Sequence, residues 1–224
     1  MNIRKYIVIF LIFQSCFLYC ADLDKINNLF ENANTLYNEG KYLEANYLYK
    51  DIASSNIISK DLYYNLASSY AAIGSNGYAV LYYEKALNIS PFDKETKNMI
   101  NSITGNNNYN SQMIITIYIL LILFLISFTV FIVLLIKLRK SNKFLLILSI
   151  VFLIPTIIIN NRINDDYVVT VEEANIYNGS STKSDIVSII HEGEKLRILE
   201  EYTNWYYVKG NFKGWINKSS AEKI

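Results

Sequence analysis

The chain has 224 residues, 52% of them hydrophobic, with 21 Lys and Arg, 20 Asp and Glu, one His and two Cys. Its formal net charge of +1 hides an uneven layout: residues 1–20 and 112–161 carry +2 and +4 with no acid, while residues 21–111 and 162–224 carry −3 and −2. This composition argues against intrinsic disorder and a nucleic-acid footprint; with both Cys in the leader, it also argues against Cys-ligated metal sites and structural disulfides elsewhere.

The leader begins with Arg4-Lys5, runs through the apolar segment Tyr6 to Phe13 and reaches Cys16-Phe-Leu-Tyr-Cys20 before Ala21. A charged start, a short apolar stretch and small residues at its end read as a secretory signal peptide over residues 1–20. Acylation at Cys16 or Cys20 and an uncleaved anchor are the alternatives.

Residues 22–104 contain a repeat. Ala33 returns as Ala67, Gly40 as Gly74, Ala45 as Ala79 and Tyr49 as Tyr83, a period of 34 residues. This spacing resembles the tetratricopeptide repeat, a helix–turn–helix unit, with copies at 26–59 and 60–93. The small Ala residues suit close helix crossings, and the Gly residues suit helix ends. Pro91 closes the second copy, and Asp93 to Ile103 reads as a capping helix. The resemblance implies a peptide groove along the first helix of each pair, formed by Phe30, Asn34, Tyr37, Tyr64, Asn65 and Ser68. Asn34 and Asn65 match the Asn positions of the carboxylate clamp in chaperone-binding members. Phe30, Glu95 and Met99 stand where that clamp needs Lys or Arg, so an apolar or aromatic groove is expected instead. The competing reading makes these residues a solvated face with local packing.

A linker at 105–112 leads to Met113–Ile136, 24 residues without a charge. At 1.5 Å per residue this stretch reaches about 36 Å, enough to cross a hydrocarbon core of about 30 Å. Residues 144–161 form a second apolar run containing Pro155, read as a second span, with a re-entrant or interfacial segment as the alternative. The intervening loop 137–143 carries Lys137, Arg139, Lys140 and Lys143, which marks the cytoplasmic side. Both flanking blocks are therefore expected outside the cytoplasm.

Residues 167–217 contain short alternating runs rich in β-branched and aromatic residues: Tyr167–Val171, Asn175–Tyr177, Asp185–Ile190, Lys195–Leu199, Trp205–Lys209 and Phe212–Asn217. Turn residues such as Asn178-Gly179 and Gly210-Asn211 separate them, as in a small all-β barrel. The segments Ala174-Asn-Ile-Tyr177, His191-Glu-Gly193, Trp205-Tyr-Tyr-Val208 and Gly214-Trp215-Ile216 resemble the bacterial Src-homology-3-like domain, over residues 167–224. The resemblance implies ligand binding through exposed aromatics, with Trp205, Tyr207 and Trp215 as candidates. Core and turn packing is the competing role for the two Trp. His191 beside a turn Gly is read as a loop residue.

No Ser/His/Asp or Cys/His constellation, phosphate-cradling Gly loop or metal-ligand cluster is found, so no catalytic residue, cofactor or metal is expected and the chain is read as a non-enzyme. The expected fold class is multi-part: an all-α helical repeat pair, a transmembrane α-hairpin and a small all-β barrel. This order, together with Gly77-Tyr-Ala-Val-Leu-Tyr-Tyr-Glu-Lys-Ala-Leu-Asn-Ile-Ser-Pro91, resembles the bacterial aerotolerance operon protein E (BatE) family. The resemblance implies an inner-membrane scaffold with both modules periplasmic. Its expected partners are membrane proteins with von Willebrand factor A domains and a MoxR-type ATPase. Peptidoglycan binding by the barrel is the alternative; the lipid bilayer is a partner in either case, and nucleic acid is not.

Overall fold

The computed structural model describes residues 24–105, 111–138, 143–163 and 165–224. The leader, residues 106–110 of the expected linker and residues 139–142 of the charged loop lie outside the described residues.

Five helices form the first module: α1 (24–38), α2 (Tyr42–Ser54), α3 (Lys60–Ala72), α4 (Asn76–Ile89) and α5 (Lys94–Thr104). Helices α1/α2 and α3/α4 are hairpins, and each turn holds a glycine in the left-handed region, Gly40 at φ 79° and Gly74 at φ 82°. An L side chain there would be strained, which is why the repeat carries Gly at both turns. Ala33, Ala45, Ala67 and Ala79 are fully buried at the helix contacts, and Tyr49 and Tyr83 fill the remaining space. Helix α3 starts at Ser59, whose hydroxyl accepts from the Leu62 amide, and α5 starts at Asp93, whose carboxylate accepts from the Glu95 amide. Such caps satisfy amides that have no partner within the helix.

Helices α6 (Ser111–Leu138) and α7 (Lys143–Ile163) pack side by side, with the buried hydroxyls of Ser127 and Ser149 3.0 Å apart. Helix α6 absorbs Ser111 and Gln112 from the expected linker, and α7 begins at Lys143. Among the described residues, Ile115–Ile136 is the one stretch long and apolar enough to cross a membrane; the apolar part of α7, Leu146–Pro155, is shorter.

Seven strands follow: β1 (Tyr167–Thr170), β2 (Ala174–Tyr177), β3 (Ile186–Ile190), β4 (Lys195–Glu201), β5 (Trp205–Lys209), β6 (Lys213–Asn217) and β7 (Ala221–Lys223). They form one antiparallel sheet in the order β3-β2-β6-β5-β4-β1-β7, around a core that includes Val168, Ile176, Leu196, Val208 and Ile216. Beyond one-residue shifts at the ends of β1, β2, β3 and β6, two features differ from the sequence reading. Strand β4 extends to Glu201, and β7 exists at all. Ala221-Glu-Lys223 has no apolar alternation to announce it, and becomes a strand because it pairs with Val168–Thr170 of β1.

Strand β1 joins the two modules. Side chains alternate along a strand, so Val168 enters the sheet core while Val169 and Val171, just beyond the strand, enter the helical core. Helix α4 approaches so closely that a Cβ on Gly77 would lie 2.5 Å from the Val171 carbonyl oxygen. Three polar contacts surround this seam. Ser75, before α4, makes no side-chain cap. The Glu192 carboxylate serves instead, accepting from the Gly77 amide at 3.2 Å and from Asn76 at 3.4 Å. A negative group at that position also opposes the positive end of the helix dipole. Glu84, 1% exposed, pairs with Lys195 Nζ at 2.8 Å, leaving its Oε1 without a hydrogen bond. Gly193, at φ 81°, lies against Val80.

Gly77→Val should force the modules apart and cost about 1–3 kcal/mol, read as a lower urea midpoint of the detergent-solubilised chain. Lys195→Met strips the cation from a buried carboxylate and should cost about 3–5 kcal/mol at neutral pH. Burial raises the Glu84 pKa above its ordinary 4.5, against the opposing pull of Lys195. A raised acid favours the folded state most below its ordinary value and loses that benefit as pH rises through the folded value. The Lys195→Met deficit should therefore shrink as unfolding is measured at pH values falling toward 4.5.

Candidate binding surfaces

The candidate ligand face of the β-module is built by alternation and register. Along β5, Tyr206 and Val208 point into the core, and Trp205 and Tyr207 point out, each half-buried. Tyr207 stands opposite Trp215 of β6, and Trp215 also pairs with Tyr177 of β2. The Tyr207 and Trp215 rings are 5.0 Å apart. Tyr202, in the β4–β5 turn and 54% exposed, meets Trp215 edge-on at 5.1 Å. Tyr177 meets Trp205 at 5.7 Å, almost perpendicular. Edge-to-face pairs of this kind hold rings in fixed orientations beyond what area burial supplies. The result is a platform of five aromatic side chains in two contacting groups, Tyr177 with Trp205, and Tyr202 and Tyr207 with Trp215.

The structure thus brings Trp205, Tyr207 and Trp215 together, and adds Tyr177 and Tyr202. Tyr177 has an outward parity in the Ala174–Tyr177 run, but its neighbours depend on the β2–β6 pairing, which a sequence does not spell out. A polar group rims the platform: the Tyr202 hydroxyl donates to Glu200, which stands opposite Tyr207, at 3.3 Å. Such a surface can stack on flat or apolar groups of a peptide or sugar while the rim fixes orientation. The helical module meets β1, Lys195 and the Glu192–Gly193 turn, and the five rings lie on β2, β5, β6 and the β4–β5 turn.

The helical candidates also share one face. Phe30, Asn34 and Tyr37 lie on α1, and Tyr64, Asn65 and Ser68 on α3, all half-buried. The polar side-chain atoms of Asn34, Tyr64, Asn65 and Ser68 are bound to one another and to neighbours. Asn34 Oδ1 accepts from the Tyr49 hydroxyl at 2.7 Å and from Asn65 Nδ2 at 2.9 Å. Ser68 Oγ lies 2.9 Å from the Tyr83 hydroxyl. The Tyr64 hydroxyl donates to Glu95 at 2.7 Å. Burial, and then the Glu95 carboxylate, push the Tyr64 phenol well above its ordinary pKa of 10.0. Burial likewise raises the Tyr49 phenol to about 12. These phenols remain protonated donors at any physiological pH. This face therefore offers aromatic edges, with its amides engaged in tying α1 to α3.

The His191 side chain is 78% exposed, with Nδ1 3.3 Å from the Glu173 carboxylate, itself 66% exposed, so nothing in its setting selects it for chemistry.

Residues 172–222 match the family model of the Bacterial SH3 domain. The match contains all five rings of the platform and stops short of β1, the strand that enters the helical core. No curated protein matches the chain.

Asn34→Ala should cost about 1–3 kcal/mol, because it leaves the buried Tyr49 hydroxyl without an acceptor. The same change in a Tyr49→Phe background should cost clearly less, since no buried hydroxyl is then stranded. Urea unfolding of the four chains measures both.

Proposed function

We propose that the chain is a membrane-anchored adaptor of the bacterial envelope, which holds partner proteins through its bacterial SH3 domain and its helical module. The observation that carries this reading is the five-ring platform within the SH3 domain, built on strands other than the one docked to the helices. An aromatic surface of this type is what a peptide-binding module presents.

The helical module reads as a tetratricopeptide pair, supported by its two hairpins, the 34-residue period, the fully buried Ala crossings and the paired left-handed glycines. Two spans are supported by the contact between modules. A chain that crosses once would place its flanking blocks on opposite sides of the bilayer, whereas Val169, Val171 and Lys195 pack against α4. Helices α6 and α7 must then both cross or both stay out, and Ile115–Ile136 is apolar enough to cross. The four basic residues of loop 137–143 favour a cytoplasmic loop and periplasmic modules. The resemblance to the aerotolerance operon protein E family suggests partners with von Willebrand factor A domains, in a stress-related envelope complex. The reading includes no catalytic role.

Peptidoglycan is the second ligand class, favoured by Trp205, Tyr177 and Trp215, whose faces suit stacking on sugar rings. Cross-linking in native membranes and pelleting with purified sacculi separate the two. The adaptor reading expects a cross-linked membrane partner that is lost in a Trp205→Ala/Tyr202→Ala chain of native circular dichroism, and no sacculus enrichment. Enrichment on sacculi that the double substitution abolishes would establish the wall-binding reading instead. Partner capture that survives the substitution would remove the platform from the account.

A further inference from the structure

We infer that the α4–α5 turn is a second membrane contact, with Ile89 and Phe92 seated at the headgroup–hydrocarbon boundary of the bilayer that α6 crosses. The inference rests on the reading of α6 as a membrane span.

The turn Ile89-Ser-Pro-Phe92 exposes two large apolar side chains, Ile89 at 43% and Phe92 at 46%. Neither exposure is explained by the helical core, which closes without them. The Phe92 ring instead meets Tyr118 of α6, with centroids 6.0 Å apart. Tyr118 lies three residues inside the Ile115–Ile136 stretch, a depth of about 4.5 Å along the helix. A stretch of that length measures about 33 Å against a hydrocarbon core of about 30 Å, so its ends fall at the boundary. Tyr is favoured at that depth, where its ring is in the apolar layer and its hydroxyl in the wet one. Tyr118 is itself 55% exposed, so little protein covers it. A side chain touching Tyr118 from the module side reaches the same level, and the medium facing it is lipid.

The charges around the turn fit that occupant. Lys97 Nζ lies 6.0 Å over the Phe92 ring, and Lys94 is exposed one turn away. Long basic side chains place their stems on apolar surface and their ammonium groups among headgroups, with added attraction to anionic lipids. The nearby acids are engaged elsewhere. Asp93 pairs with Lys60 at 2.8 Å and caps α5, and Glu95 accepts from Tyr64. The turn thus presents an apolar tip with a basic collar, contiguous with the span.

The test uses the full chain in phosphatidylcholine vesicles, plain or brominated on the acyl carbons nearest the headgroup. Emission added by Phe92→Trp is compared with that added by Tyr118→Trp and by Tyr47→Trp, above the background of Trp205 and Trp215. Tyr47 is 72% exposed on α2 and serves as the water-facing reference. The inference predicts that bromination lowers the Phe92→Trp increment about twofold, close to the Tyr118→Trp value, and leaves the Tyr47→Trp increment unchanged. Quenching at Tyr118→Trp without quenching at Phe92→Trp would overturn the inference and keep the span, assigning the turn to water or to a protein partner. Quenching at neither would overturn both.

Discussion

One strand belongs to two cores. Val168 is buried in the sheet and Val169 in the helical module, and both are fully excluded from solvent. A strand with one wet face needs apolar residues at alternate positions only. β1 has them in succession because α4 covers its second face. Gly77 permits the approach, since any Cβ there would collide with the Val171 backbone. The other contacts at the seam depend on that closeness. Glu192 reaches the amide end of α4 only when β1 lies against the helix, and Glu84 is desolvated by the same packing that delivers Lys195 to it.

This seam has a polar cost of its own. Burying a carboxylate is unfavourable unless a cation and hydrogen bonds replace its water. Lys195 supplies one bond, and the second Glu84 oxygen has none. Apolar packing by Val80, Val169 and Val171 has to outweigh that deficit. The ion pair contributes orientation more than net stability: it ties β4, the neighbour of β1, to α4 at one point. The contact holds the aromatic platform at a set position relative to the helical module, which the proposed adaptor role would use.

Much of the architecture was legible in the sequence because local physics selects residues one position at a time. Gly40 and Gly74 answer a backbone demand, Ala33 and Ala67 a steric one, and each recurs at the same interval. Alternation puts Trp205 and Tyr207 on one strand face, opposite Tyr206 and Val208, but their exposure is implied by the resemblance, with core packing as the competing role. What was not legible depends on pairings between distant segments. Glu84 and Lys195 are 111 residues apart, and nothing in either neighbourhood distinguishes Glu84 from a solvated acid. Tyr202 and Tyr177 join the platform through strand register, and β7 exists only as a partner for β1. The run Tyr167–Val171 reads as an alternating strand, and only the packing of α4 shows that Val168 and Val169 enter different cores. Asn34 and Asn65 matched a binding pattern by position, and in the fold they hydrogen-bond to each other.

The central claim is that the two modules are docked on one side of the membrane. The most direct measurement is thiol cross-linking of the full chain in native membranes, with Cys16 and Cys20 replaced by Ser and single thiols introduced by Asn76→Cys and Glu192→Cys. The two native side chains approach to 3.4 Å. The account predicts that a short bifunctional thiol reagent closes a loop in the doubly substituted chain, seen as a mobility shift that neither single substitution gives. Full modification of both thiols with no intramolecular product would contradict it.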